Sequence, residues 1–357
     1  MRVLLSLWAA IVSPFRPLTA LEQTVPLWPP ATPPGLWLQR VFLAPWERWD
    51  AVWYARIVTE GYRFDNGTAQ FHPLYPWLAL PVARLTGLPL LALQLVSSLA
   101  AFGVGMLLFR LARLDLAEEP AWMTVLFFSV SPFAFVLFAP YSEALFLLLA
   151  IACFWFLRRR DWFLAGLIGG LAALTRQQGI LLFLPAIWEL WEFHNFELRS
   201  TARDWRSWAG LFLIPLGLLL WLIYRAWGLG DMQPNMSSFH NLVYSILISP
   251  SATKVVSVQR FMWPWQALTL ALRQFAQTPD YRLFIDLALG IGFIVILVIV
   301  WKYLRVSYRI YVVSIALVSF AYHTGPIYPY MGLPRHLFLA FPVFIGLGQR
   351  VQRSWQR

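Results

Sequence analysis

The sequence predicts an all-α polytopic membrane protein. It is read as a single bundle of about ten transmembrane helices over residues 1–357, with interfacial helices in the first external loop. Three observations predict it. The 357-residue chain is 59% hydrophobic and only 13% charged, where a soluble protein of that length would be about half apolar and a quarter charged. Its mean hydropathy is +0.61. Its arginines stand in short clusters between apolar runs, so a net charge of +11 reads as topology determinants and lipid-headgroup contacts. A nucleic-acid partner is excluded on that pattern.

The apolar runs fall at residues 3–20, 88–109, 121–138, 142–157, 162–175, 178–191, 208–227, 284–304, 308–324 and 337–349. Several are shorter than the ~20 residues of a full span. The first run resembles a signal peptide, but with so many spans after it an uncleaved first span is the better reading. The region 162–191 admits one long helix with Arg176 buried at mid-depth, or two short helices meeting at Arg176-Gln177-Gln178-Gly179. Two passes put Arg110/Arg113, Arg158/Arg159/Arg160, Arg199/Arg203/Arg206, Lys302/Arg305/Arg309 and Arg350/Arg353/Arg357 on one cytoplasmic side. One pass would move the last three clusters outside and bury an arginine at a cost of about 2.5–3.5 kcal/mol, so two passes are expected. The external loop 21–87, the Pro140-Tyr141-Ser142-Glu143 turn, the Arg176 corner, the loop 228–283 and the turn 325–336 then share the non-cytoplasmic face. Neither an internal repeat nor a low-complexity segment stands out. Cys153, the single cysteine, lies in an apolar run, which leaves no intrachain disulfide and no thiol metal site. Asn66-Gly67-Thr68 and Asn235-Met236-Ser237 match glycosylation triplets, which are short enough to arise by chance.

The first external loop carries the polar island Trp46–Pro76. Trp46, Trp49, Trp53 and Ile57 share a helical spacing, and Gly61 is placed to end that helix. His72-Pro73 and Tyr75-Pro76 are expected to break the next stretch into a turn. Within the aromatic face sits one acid, Asp50. An acid between tryptophans at the edge of a low-dielectric layer is a candidate general base for a sugar hydroxyl, and equally an ordinary polar-face residue. Glu47 and Asp50 are not the closely spaced pair that a divalent cation wants, so no metal is expected. Arg176 in TRQQG and Arg335 in LPRH each stand at the outer end of an apolar segment. A guanidinium there suits a lipid phosphate, or simply snorkels to headgroups. Glu143 opens a helix, where the dipole already favours an acid; facing a cavity, it could accept sugar hydroxyls or orient Arg176. His72 is a second polar contact or an interfacial histidine.

The motifs WDAVWYARIVTEGY, FHPLYP, SPFAFVLFAPYSEALF, LTRQQG and LPRHLFLAFPVF, in that order from about Trp46 to Leu347, resemble the PIG-V family of mannosyltransferases. These are multi-pass enzymes of the GT-C class of glycosyltransferases. The resemblance implies a GT-C-like bundle and an inverting, metal-independent sugar transfer without a cofactor. The donor it implies is a polyprenyl-phosphate sugar, mannose first, and the acceptor a glycolipid or glycan hydroxyl outside the cytoplasm. It places the loop acid on Asp50, the YSE acid on Glu143, the span-borne arginine on Arg176 and the arginine before the last helix on Arg335. Tyr75, Ser142, Gln177 and His72 stand beside these as substrate-binding candidates. The chain departs from the family at His72, where an aromatic is common, and in a short, proline-rich segment before Trp46. The compact loops resemble a prokaryotic member, which implies a plasma-membrane location (the endoplasmic reticulum membrane for a eukaryotic member) and removes the glycosylphosphatidylinositol acceptor from the expectation. Two alternatives stay beside this one. A GT-C enzyme could move glucose, galactose or arabinose, and a transporter or flippase could carry lipid-linked intermediates. Polar residues gathered at one surface and dissimilar halves speak against the transporter.

Overall fold

A computed structural model describes residues 2–12, 15, 42–63, 66–230, 260–323, 329–330 and 332–355. Most of the proline-rich segment before residue 42, the Asn235 triplet in the loop 228–283, and residues 324–328 and 331 around the turn 325–336 lie outside the described residues. The described residues are helical nearly throughout. The only ladder among the described residues pairs β1 (Arg260–Phe261) antiparallel with β2 (Tyr322–His323).

α1 (Arg2–Val12) docks on the loop 21–87, where the Trp46 indole donates to Ser6 Oγ at 3.2 Å. The loop helix α2 (Asp50–Glu60) starts later than its tryptophan spacing suggests. Residues Ala44–Trp46 form one 3-10 turn, and Trp49 takes φ 50, a conformation outside any helix. The tryptophans therefore do not share one helix face: Trp53 is buried, while Trp49 is 62% exposed. Gly61, at φ 80, ends α2 as expected and donates back to the Ile57 carbonyl. The expected turn at Tyr75-Pro76 is corrected. α3 (Leu74–Thr86) runs straight through it, because Pro76 falls in the first turn, where a backbone N–H has no intrahelical acceptor to lose.

α4 (Pro89–Ala112) has 24 residues, about 36 Å of helix. α5 (Glu118–Val130) and α6 (Glu143–Arg158) follow. α7 (Trp162–Thr175) and α8 (Phe183–Phe193) form an antiparallel hairpin closed at Arg176 and the 3-10 turn Gln177–Leu182. Trp162 at the start of α7 lies 5.7 Å from Phe193 at the end of α8, so the chain returns to the level it left. Gly179 makes the hairpin possible: a Cβ there would stand 2.3 Å from the Ala173 backbone nitrogen. α9 (Leu198–Arg203), α10 (Trp205–Leu211) and α11 (Leu213–Ile223) lead into a π-helical turn at Tyr224–Gly228. Further along the chain come α12 (Pro264–Gln277), α13 (Tyr281–Val300), α14 (Val306–Ala321), α15 (Leu333–Leu337) and α16 (Pro342–Trp355).

Among the described residues two helical stretches, Pro89–Ala112 and Tyr281–Tyr303, are each long and apolar enough to cross a bilayer, and the bent pair Trp205–Leu211 and Leu213–Gly228 adds a third if it counts as one span. α7 and α14 are apolar but shorter. The expected ten crossings are thus not all single full-length helices. At one end of α6, Arg158 grips Asp115 bidentately at 2.6 and 2.8 Å and reaches the Tyr308 hydroxyl, while Arg305 pairs with Glu189 and Glu192. Glu143 lies at the opposite end of α6, about 22 Å away along its axis.

Candidate active site

Four charged side chains from four separate parts of the chain meet at that end. Asp50 opens α2, Glu143 opens α6, Arg176 forms the α7–α8 corner and Arg335 rides on α15. Arg335 bridges the two acids. Its Nη2 is hydrogen-bonded to Asp50 Oδ2, and its Nε lies 2.7 Å from Glu143 Oε1. Arg176 Nη1 approaches the same Oε1 at 2.9 Å. Glu143 accepts no well-aligned hydrogen bond from either guanidinium; charge, not bond direction, is what couples them. The Glu143 side chain is 0% exposed, against 23% for Asp50 and 21% for Arg335. Glu143 is therefore closed to solvent, whereas Asp50 and Arg335 each keep part of the side chain accessible.

Local structure explains each placement. Ser142 precedes α6 but does not cap it with its side chain. Its hydroxyl instead accepts from Tyr54 Oη at 2.8 Å and from Arg176 Nη1 at 3.0 Å. Tyr54 sits one turn after Asp50 on α2, so this chain of bonds ties the helix of Asp50 to Arg176. Burial pushes the Tyr54 phenol well up, with the Asp50 and Glu143 charges adding to the effect and Arg176 opposing it, so it acts as a neutral donor. Arg176 is extended, with φ −154 and ψ 147, which swings its side chain off the hairpin towards Glu143. Burial works against the charge of Arg335, but the attraction of Asp50 and then Glu143 outweighs it and holds the guanidinium charged. The Tyr141 ring lies 5.1 Å from that guanidinium, a cation–π support worth about 0.5–2 kcal/mol. Trp49, immediately before Asp50, is non-glycine at φ 50. Such strain costs about 1–3 kcal/mol and tends to collect at functional sites.

Two histidines serve the arginines. His336 Nδ1 lies 3.4 Å from Arg176 Nη2; since a guanidinium only donates, this imidazole is the Nε2–H tautomer. Burial, then Arg335 and Arg176, hold its pKa well below the usual range. His72 Nδ1 donates to the Ala173 carbonyl at 2.8 Å, which satisfies an acceptor in the last turn of α7, just ahead of Arg176. Burial lowers the His72 pKa to about 3, helped by Arg225 and Arg176, so the ring stays neutral. Of the sequence candidates, Asp50, Glu143, Arg176 and Arg335 are thus brought together, and Ser142 and His72 stand behind Arg176. Gln177 starts the 3-10 turn beside it. Tyr75 is fully buried, bonded to the Leu93 carbonyl and Ser97 Oγ, and its ring packs edge-on against that of Tyr54 at 4.8 Å. Tyr54, His336 and the buried Arg225 were not singled out by sequence. The Tyr54 position, four residues after Asp50, was the one readable signal among them. Among the described residues no three His, Cys, Asp or Glu side chains gather as a metal site. A cavity of about 450 Å³ opens elsewhere, against Met262, Trp265 and Arg273; it lacks paired charges, and the charged cluster is the better site.

The family model described as Mannosyltransferase (PIG-V) matches residues 3–184, which include Asp50, Glu143 and Arg176. No curated protein matches the sequence. Among solved structures, the chain is similar to ArnT from Cupriavidus metallidurans bound to undecaprenyl phosphate, at TM-score 0.50 and 15% identity. That match covers 86% of this chain and 56% of the ArnT chain, so this chain spans little more than half of that protein. The apo ArnT structure from the same organism matches at TM-score 0.47 and 16% identity, over 86% and 55% of the two chains. The likeness is one of fold.

Proposed function

The chain belongs to the mannosyltransferase (PIG-V) family, and on that premise we propose that it moves a sugar, mannose first, from a polyprenyl-phosphate donor to a hydroxyl of a glycolipid or glycan acceptor. The observation that carries the proposal is Arg335 shared between Asp50 and Glu143, with Arg176 on the other side of Glu143. This is a pair of guanidiniums held by a buried acid beside an accessible one.

The arrangement maps onto the reaction in charge terms. A sugar phosphate leaves as a lipid monophosphate, and Arg176 and Arg335 receive the charge that develops on its oxygens. Glu143 keeps the two like charges together before the phosphate arrives. When the phosphate takes Arg335, Asp50 loses that partner and is free to accept the acceptor's hydroxyl proton. The acceptor oxygen then bonds to the anomeric carbon as the bond from that carbon to the phosphate oxygen breaks, and the configuration inverts. In this reading the leaving group's charge goes to guanidiniums and no metal is used. The ArnT structure that holds undecaprenyl phosphate supports the class of donor, and the arginine-rich opposite end of α6 supports a site on the non-cytoplasmic face.

The test is a panel of polyprenyl-phosphate sugars (mannose, glucose, galactose, arabinose) incubated with the purified full chain and extracted membrane glycolipids, with products read by mass spectrometry. Release of polyprenyl phosphate with transfer from the mannose donor is expected. No transfer from any donor refutes the reading, and transfer from another sugar alone corrects the donor.

A further inference from the structure

We propose that Asp286 positions Arg335 by holding the turn in front of it, and so sets how tightly the cluster binds a lipid phosphate. The inference rests on the phosphate-binding reading above. α13 is apolar beyond Arg282 except for this one acid. A carboxylate inside an apolar helix is costly unless a partner engages it, which makes such a residue functionally suspect by default.

Asp286 is half-buried and accepts a backbone hydrogen bond from Gly332. Gly332 stands at φ 78 and ψ 32 as the boundary residue of α15, a conformation that costs glycine little. Its carbonyl accepts from the Arg335 and His336 amides at 3.0 and 3.3 Å. One residue is therefore held at its N–H by α13 and at its C=O by the two residues that carry the site chemistry.

Apolar contact brings the same elements together. Leu283 and Leu287 of α13 pack in one buried cluster with Leu333 and Leu337 of α15. One turn beyond Asp286, a Cβ on Gly290 would come within 2.9 Å of a Leu333 methyl. Such contacts set how far apart two helices lie, but they are non-directional and leave α15, only five residues long, free to roll. The hydrogen bond is directional. It fixes the roll that points Arg335 at Asp50 and Glu143.

Binding of undecaprenyl phosphate to the purified full chain in nanodiscs tests this. Asp286→Ala is expected to weaken binding by up to about tenfold, the scale of one lost hydrogen bond. Asp286→Asn keeps an acceptor oxygen and should stay within about twofold of wild type. Arg335→Ala should also weaken binding, and adding Asp286→Ala to it should cost nothing further, because the two act through one contact. Should the alanine variant not fold, Asp286→Ser, too short to reach Gly332, takes its place. Wild-type affinity in Asp286→Ala, equal loss in Asp286→Asn, or an additive loss in the Arg335→Ala background overturns the proposal alone. A wild-type chain that does not bind undecaprenyl phosphate overturns the phosphate reading, and this proposal with it.

Discussion

Replacing Glu143 by Gln removes one negative charge from a cluster in which Asp50, Glu143, Arg176 and Arg335 otherwise sum to zero. The variant keeps the side-chain shape but leaves two guanidiniums beside a neutral amide, with a net charge of +1 from these four positions. A charge pair at about 4 Å is worth about 4 kcal/mol at an effective dielectric of 20, and breaking a buried pair typically costs about 3–5 kcal/mol. Glu143 is 0% exposed and touches both cations at 2.9 and 2.7 Å, so little solvent screening applies. Its amide still offers an oxygen, which places the expected loss at the low end, about 3 kcal/mol. Thermal unfolding in detergent, followed by tryptophan fluorescence, should show the variant melting several degrees lower. The same +1 has a second consequence: undecaprenyl phosphate should raise the melting temperature of Glu143→Gln by more than that of wild type, although turnover falls. A variant that melts with wild type, and that the lipid phosphate stabilises no further, refutes the electrostatic role given to Glu143.

Other perturbations follow from the same geometry. Arg176→Lys keeps the charge but not the fork that reaches Ser142, Glu143 and His336; donor KM should rise about tenfold or more, and unchanged donor kinetics would count against the phosphate role. His72 is neutral in the folded protein down to about pH 3, while unfolded histidine gains its proton near pH 6.5. The unfolded state therefore binds more protons as pH falls through that window, and stability drops by up to about 1.4 kcal/mol per pH unit below 6.5. In His72→Gln the melting temperature should fall less between pH 6.5 and 4 than in wild type, and an identical acid slope would show that His72 does not bury its ring neutral. Gly179→Ala drives a methyl into the Ala173 backbone, which cannot yield as a side chain can; a loss of about 2–3 kcal/mol is expected, visible as lower yield and melting temperature.

Much of the fold was legible because a bilayer demands apolar helices, and every apolar run noted in the sequence that lies within the described residues carries helix. The Arg176 corner was legible for an electrostatic reason: only a hairpin puts the arginine clusters on one side, and the tilted contact of Trp162 with Phe193 shows the chain turning back. Local detail was less legible. Nothing in the spacing of Trp46, Trp49 and Trp53 announces the positive φ of Trp49, since backbone strain is imposed by tertiary packing. Pro76 looked like a breaker because its place in the first turn depends on where α3 begins. In the site, the charged residues stood out against an apolar background. Tyr54 and His336 did not, because their roles come from hydrogen bonds across 88 and 160 residues of chain. Asp286 was hidden inside a hydrophobic run, and only the approach of α15 gives it a partner.

The central claim is that Asp50 accepts the acceptor's proton while the two arginines hold the lipid phosphate. Asp50→Asn tests it most directly, because it keeps the side-chain shape and an oxygen for Arg335 while removing the base. Initial rates from polyprenyl-phosphate mannose should fall by at least about a hundredfold, the usual contribution of a general base, while undecaprenyl phosphate still binds. An Asp50→Asn enzyme that transfers mannose at the wild-type rate would contradict the account.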